Sequence, residues 1–537
     1  MFRLLNTILF LAATVLFLLW KVSKVGSRPP GYPPGPPTLP VLGNLHLMPK
    51  LRPHLQLQKW AKEYGPIYSL ILGTKAMIVL SSDTTVKEVL DKRSGNYSDR
   101  PDMFIGQKVA SGDLRLVAMR YGDNWRMIHR MVHNILNIKA AVTYVPYQDL
   151  ENKILLNDLL ETPSDFLQHI RRFTYSLSTQ MIYGYRCTDN HDPKLLQLFE
   201  SFENWGKLSG SSSAQLADIY PFIQSLPSSI APNNYLRHWM MSKTALDDGT
   251  GLPCFCNDIY RAQTQEGFSD DAAAYISGSL LEAGSDTTAG TLYGFIQAII
   301  VWPEVQRKAQ EEIDRVVGHD RLPTVDDYQN LPYIRCCIKE SLRWMPTVFL
   351  GVPHAAVRDD VYMGYNIPKG ATVINNVWAI HMDEERSPNP RVFEPERFKD
   401  DHTTLYQSAM GDTKKRDNFV FGAGRRLCQG IHIAERSLFL GMSRLLWAFD
   451  FSPALDIRGN PVKYDTEDLV GGITVQPSEY PARMKPRSAG KATIIRHAAE
   501  KCKQLLDPVT MQWKQVPEGM AFSTWMPDSN YEHSDDM

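Results

Sequence analysis

Chemistry in this sequence starts from a single cysteine. Cys428 sits in Phe421-Gly422-Ala423-Gly424-Arg425-Arg426-Leu427-Cys428-Gln429-Gly430, behind two arginines and at the start of a long apolar run, Ile431 to Phe449. Glycines let another group approach the backbone closely and permit unusual φ. Backbone N–H groups at a helix start, with guanidinium charge nearby, favour the thiolate. A thiolate in a dry glycine loop suits an axial ligand that pushes electron density onto iron. Two other readings stay open on these residues alone. Cys428 could be an ordinary buried cysteine. Gly422-x-Gly424 could open a dinucleotide loop, although Leu427 holds the third glycine position and no strand–helix alternation precedes it.

Three further groupings bear on the same chemistry. Ala283-Gly284-Ser285-Asp286-Thr287-Thr288 falls inside a helical stretch from about Ala272 to Val301. A mid-helix glycine costs ~1 kcal/mol relative to alanine, and a threonine can bond back to a carbonyl, so a local bulge is expected there. An acid followed by an alcohol can relay protons into an apolar pocket; a polar helix face is the plainer reading. In Glu340-Ser341-Leu342-Arg343 the i, i+3 spacing puts acid and guanidinium on one helix face, as in any surface pair. Trp125-Arg126-Met127-Ile128-His129-Arg130 places an aromatic ring and an imidazole on one face of another helix.

The elements that must carry these groups are mostly helical. Pro303 to Val317 is amphipathic, Ile334, Ile338 and Leu342 mark a helix stopped by Pro346, and Ile431 to Phe449 reads as buried. Ile67 to Leu72 and Ala76 to Leu80, split by Gly73-Thr74-Lys75, read as a hairpin. The chain has 537 residues, 43% of them hydrophobic, and a formal net charge of -1, which excludes wholesale disorder and gives no reason to expect nucleic acid. Seven cysteines exclude a disulfide framework, and none are spaced for a zinc site. Leu4 to Trp20 carries no charge, and Lys21, Lys24 and Arg28 follow it. It predicts a transmembrane anchor with the C-terminal bulk on the cytosolic side; a cleaved signal peptide competes, but no small-x-small site follows. Pro29 to Pro37 then reads as a stiff, extended stem.

The cysteine loop matches F-x-x-G-x-R-x-C-x-G at Phe421, Gly424, Arg426, Cys428 and Gly430. This resembles the haem-binding signature of the cytochromes P-450, and the other groupings follow in that family's order. The resemblance implies a mainly α fold, a large helical domain with a small β-rich subdomain behind one N-terminal transmembrane helix. The expected division is 1–27 anchor, 28–43 proline-rich stem, 44–500 catalytic domain and 501–537 polar, disordered tail. It implies haem b with Cys428 as the axial iron ligand, Arg426 pairing a propionate and Phe421 packing beside the sulfur. Asp286 and Thr287 would deliver protons for O–O cleavage. Glu340, Arg343 and Arg397 would form a structural triad. Trp125, His129 and His354 would reach propionates, but His129 replaces the family's arginine, a role that Arg126 or Arg130 could take over.

The implied reaction is monooxygenation of a small apolar organic substrate by O2, with electrons from a separate NADPH–cytochrome reductase. The style is closest to fungal enzymes of secondary metabolism acting on terpenoid, polyketide or alkaloid intermediates at the endoplasmic reticulum membrane. By family position Phe104, Ala283, Val348, Phe349 and Leu350 line the pocket; basic residues such as Arg130, Lys414, Lys415, Arg416 and Arg425 would dock the reductase, although a charge cluster is usually only a solvated face. Between Arg237 and Asp258 roughly one roof helix is missing, which points to an abbreviated roof or a defective gene sequence. A haem-thiolate isomerase or dehydratase and an impaired haem-binding homologue are the alternative functions; the intact Asp286-Thr287 pair argues against the isomerase.

Overall fold

The computed structural model describes residues 2–49, 51–209, 212–220, 224, 239–244, 252–413, 415–472 and 474–520. Its axis is the helix Asp270–Val301. Ser269 caps it by accepting from Ala272 N, and Asp270 and Asp271 sit in the first turn, where acids oppose the helix dipole. It is apolar around most of its circumference, hence enclosed on all sides. The helix Phe166–Tyr183 packs along it. Gly284 allows that approach, because a Cβ there would come within 2.6 Å of Ser178 Oγ. The cysteine helix, Ile431–Ala448, also packs against the central helix, and the two share one core with Pro303–Val316 and Pro332–Trp344.

The β structure is small. Ile67–Leu72 pairs antiparallel with Lys75–Leu80, which pairs parallel with Thr372–Asn375, and the edge strand is His354–Ala355. The expected architecture, mainly helical with a small β-rich part, is therefore the one observed. The proline stem lies along the first strand instead of projecting away. Prolines lack N–H donors but keep their carbonyls. Those of Pro33 and Pro34 accept from Ser69 Oγ and Ser69 N, at 2.6 and 2.7 Å. Arg28 and Asn44 fix the rest of the turn through Gly35, Pro36 and Pro37 carbonyls.

Two expectations need correction. The first is the transmembrane helix. Phe2–Lys24 is helical, but among the described residues no helix is long and apolar enough to cross a membrane. The uncharged run from Leu4 to Trp20 rises only ~25 Å against a hydrocarbon core of ~30 Å, and Asn6, Thr7 and Thr14 interrupt it. The second is the disordered tail from 501. The helix Ala489–Gln504 continues into it, and Leu506 bridges to Trp513. Trp513 is buried, with its indole N–H donating to Gln180 Oε1 at 2.6 Å. One apolar side chain with a buried acceptor outweighs the polar composition around it. Residues 521–537 lie outside the described residues, as do 237, 238 and 245–251 of the abbreviated-roof segment.

Candidate active site

The cysteine loop is closed by its own backbone. Cys428 N donates to Phe421 O at 2.9 Å, Leu427 N to Gly424 O at 3.1 Å, and Gly430 then starts the cysteine helix. Gly424 has φ +59°, and a Cβ there would stand 2.0 Å from Leu90 O, so only glycine lets the loop seat on that segment. Asp91 Oδ1 accepts from Gly424 N at 2.6 Å. Cys428 is enclosed by protein yet accessible, so the surface it shows belongs to an internal cradle. Burial pushes its thiol up, and the Gly430 amide pulls it partly back. The arginines do not hold the sulfur as a thiolate, contrary to expectation. Arg426 turns to Ser98 O and Met119 O, and Arg425 is exposed against Tyr121. A desolvated sulfur of this kind loses its proton to a bound metal cation.

A cluster rich in positive charge surrounds Arg426. Its guanidinium stacks 4.2 Å over Trp125, whose ring lies 4.5 Å from His129. Burial lowers Arg426 to about 10. His354 is buried, and its Nδ1 donates to Tyr97 O at 2.6 Å, the only sense a carbonyl allows. Burial, then Arg100 and Arg426, hold His354 down to about 3; burial, His133 and Arg426 hold His129 down to about 4. Arg100 is the residue that sequence reasoning missed. It is buried and donates only to the carbonyls of Val117, Val352 and Pro353. Neither Arg100 nor Arg426 has a carboxylate within ion-pair distance among the described residues. Arg126 does not replace the charge missing at His129: it is exposed and pairs with Asp123. Arg100 supplies it.

On the central helix Ala283 is exposed in the middle of a buried element, which marks the side that opens on the cradle's interior. Thr287 Oγ1 donates back to Ala283 O at 2.8 Å. Asp286 accepts from Thr474 Oγ1; burial raises its carboxyl, with Thr474 and Arg171 opposing. The helix needs no bulge to place these groups. Phe104 and Val348 are half-buried. Phe349 is a correction: it packs at 4.5 Å on His54 and belongs with Trp378, Met382 and Val475.

The opposite end of the loop is braced. Arg343 grips Glu340 through two hydrogen bonds, at 2.6 and 2.7 Å, and Arg397 Nε lies 3.5 Å from the same carboxylate. His381 joins this unit to the loop: its Nδ1 donates to Arg343 O, and its Nε2 accepts from Phe419 N at 2.8 Å. Arg416, expected on a docking face, is buried instead. It donates to Asn418 O and Gly422 O, stacks 4.3 Å over Phe419 and reaches Asp91. Arg130 and Lys415 are exposed, and Lys414 lies outside the described residues.

These residues fit a haem. An accessible cysteine in a glycine cradle offers the soft axial ligand, and two guanidiniums without carboxylate partners await anionic side chains such as propionates. The family model for cytochrome P-450 matches residues 33–480. The chain belongs to that family. Cytochrome P-450 monooxygenase virE of Hypocrea virens is 50% identical over 97% of this chain and 97% of its own length. Monooxygenase fogE of Aspergillus ruber is 50% identical over 95% and 97%, and fsoB of Humicola fuscoatra 47% identical over 96% and 98%. This protein is thus a cytochrome P-450 monooxygenase whose cofactor is haem-thiolate iron.

Proposed function

We propose that this P-450 oxidises a small apolar intermediate of fungal secondary metabolism, using O2 and electrons passed from NADPH by a separate reductase. The fungal monooxygenases it resembles over nearly their whole length support the setting. The observation that carries the reaction class is Cys428, accessible within the glycine cradle. Haem, when bound, supplies O2 activation at its iron. Cys428 would hold that iron, and Arg100, Arg426 and His354 would hold the carboxylates. Burial first, then Arg100 and Arg426, keep His354 neutral, and a carboxylate bound beside it would favour a second proton at Nε2. Asp286 keeps a proton to higher pH than an exposed acid. Thr287, its own proton committed to Ala283 O, presents lone pairs that accept from water and orient it. The exposed Leu9, Phe10, Leu11, Leu16, Phe17 and Trp20, followed by Lys21 and Lys24, support a place for the enzyme at the cytosolic face of the endoplasmic reticulum membrane.

The test is a reduced-minus-carbonyl difference spectrum of purified, haem-replete protein. A thiolate-type Soret shift is expected, and its absence in the wild type overturns the reading. Cys428→Ala abolishes the shift. Thr287→Ala keeps it but lowers product formed per NADPH consumed, by about 10-fold or more, as expected for a lost proton-relay group.

A further inference from the structure

A buried ion pair adjoins the exposed Ala283 side of the central helix. Arg115 donates through Nη1 to Glu282 Oε2, and the two side chains are 6% and 4% exposed. Glu282 directly precedes the exposed Ala283 on the central helix and stands one turn before Asp286. Arg115 begins the segment whose carbonyls at Val117 and Met119 receive Arg100 and Arg426. The pair therefore bridges the carboxylate-binding cluster to the central helix beside the acid–alcohol pair. Its guanidinium lies 4.1 Å from the Trp205 ring, and the Trp205 indole donates to Gly106 O at 2.8 Å. Gln107 is 4% exposed and donates through Nε2 to Arg115 O; its Oε1 has no hydrogen-bond partner among the described residues.

The fold has no need of charge here. The same loop is already tied to the same helix by Leu116 N to Ser279 Oγ at 3.3 Å and by Tyr275 OH to Ala110 O at 3.1 Å. A buried ion pair returns little net stability, and well-packed apolar side chains of similar volume serve as well or better. We propose that Arg115, Glu282 and Gln107 form a polar anchor that holds the hydroxyl or carbonyl head of an otherwise apolar substrate. The proposal rests on the monooxygenase reading and narrows its substrate class. Glu282 matches the charge of Arg115, so a neutral head that exchanges hydrogen bonds is favoured over an anion. Guanidinium N–H groups donate, while the carboxylate and Gln107 Oε1 accept. Fixing the head fixes which carbon of the apolar part meets the oxidant.

The experiment measures binding to full-length holoenzyme through the substrate-induced Soret shift. The probes are heptylbenzene, 4-heptylphenol, 4-heptylacetophenone and 4-heptylbenzoate. The phenol or the ketone should bind about 10-fold or more tightly than heptylbenzene, and the benzoate no better than heptylbenzene, since one retained polar contact is worth about a factor of ten. In Arg115→Met/Glu282→Met that preference should fall to about 1, with heptylbenzene affinity within about 3-fold of wild type. Equal binding of all four probes by the wild type overturns the proposal, and so does a preference that survives the double substitution. If the double variant does not retain haem, Glu282→Gln decides: an unchanged preference overturns the anchor and a diminished one supports it. A wild type without the carbonyl-induced thiolate band refutes the monooxygenase reading instead, a separate outcome from loss of selectivity.

Discussion

Arg172 and Arg186 are buried like Arg100, beside which Arg426 is half-buried, but the surroundings of the two pairs are opposite. Arg172 meets Glu151 at 2.8 Å and Asp158 at 3.2 Å, and Arg186 meets Glu151 at 2.6 Å. Two acids answer two guanidiniums there, and Ser176 and Gln180 also donate to Glu151. Burial pushes the Glu151 carboxyl up, but both arginines together bring it below its usual range. Around Arg100 and Arg426 the neighbours are backbone carbonyls and two imidazoles held neutral, and the nearby Asp99, already paired with Arg120, acts on both only from beyond ion-pair distance. The first cluster is closed in charge and works for the fold. The second leaves its charge to be completed by a ligand. A buried charge acquires a functional meaning from what is missing beside it, not from its depth.

The contrast is open to attack at each end. Glu151→Ala should cost the most, about 3–5 kcal/mol in urea unfolding, because it strands two buried guanidiniums; the haem affinity of the molecules that still fold should not change. Arg426→Leu should do the reverse. It is expected to weaken haem binding about 10–100-fold in a haem titration, for the loss of charged hydrogen bonds. It should move the urea midpoint of the haem-free chain less than Glu151→Ala does. The effect of pH is the smallest when taken per unit. His354 titrates near 3 in the fold against ~6.5 in the unfolded chain, so the unfolded chain binds more protons between those values. Stability of the haem-free protein should then fall as pH drops below 6.5, by up to about 1.4 kcal/mol per unit from this group. His354→Gln should flatten that slope, and haem loading should flatten it too. The Glu151 contribution, from a depressed carboxyl, should be complete above the ordinary carboxylate range and be lost as the pH falls through that range towards the depressed value.

The parts of the site legible in sequence were those whose chemistry is local. The cysteine loop, the acid–alcohol pair and the Glu340–Arg343 spacing each fall within ten residues, and the long helices announced themselves by periodicity and caps. Residues that act through distant partners were not legible. Arg100 has only its place in Ser98-Asp99-Arg100-Pro101 to mark it, and its role depends on carbonyls more than 250 positions away at Val352 and Pro353. Arg416 was misread because Lys414-Lys415-Arg416 looks like a solvated run, whereas the third residue folds under the loop. His381 gave no local signal, since both its partners, Arg343 and Phe419, lie 38 residues away. Trp513 stood out in its polar surroundings as a residue that could dock, but its partner was not legible, because the Gln180 acceptor lies 333 residues distant.

The seat of Arg426 on Ser98 O joins residues 328 positions apart, and the cysteine follows two residues later. A ribosome adding about 5–20 residues per second needs roughly 15–65 s to travel that distance. During this interval the half-cradle built from Arg100 and the Trp125 helix exists without its sulfur. Capture of a cofactor through this cysteine therefore has to wait until both halves of the cradle have been made, long after Arg100 and the Trp125 helix.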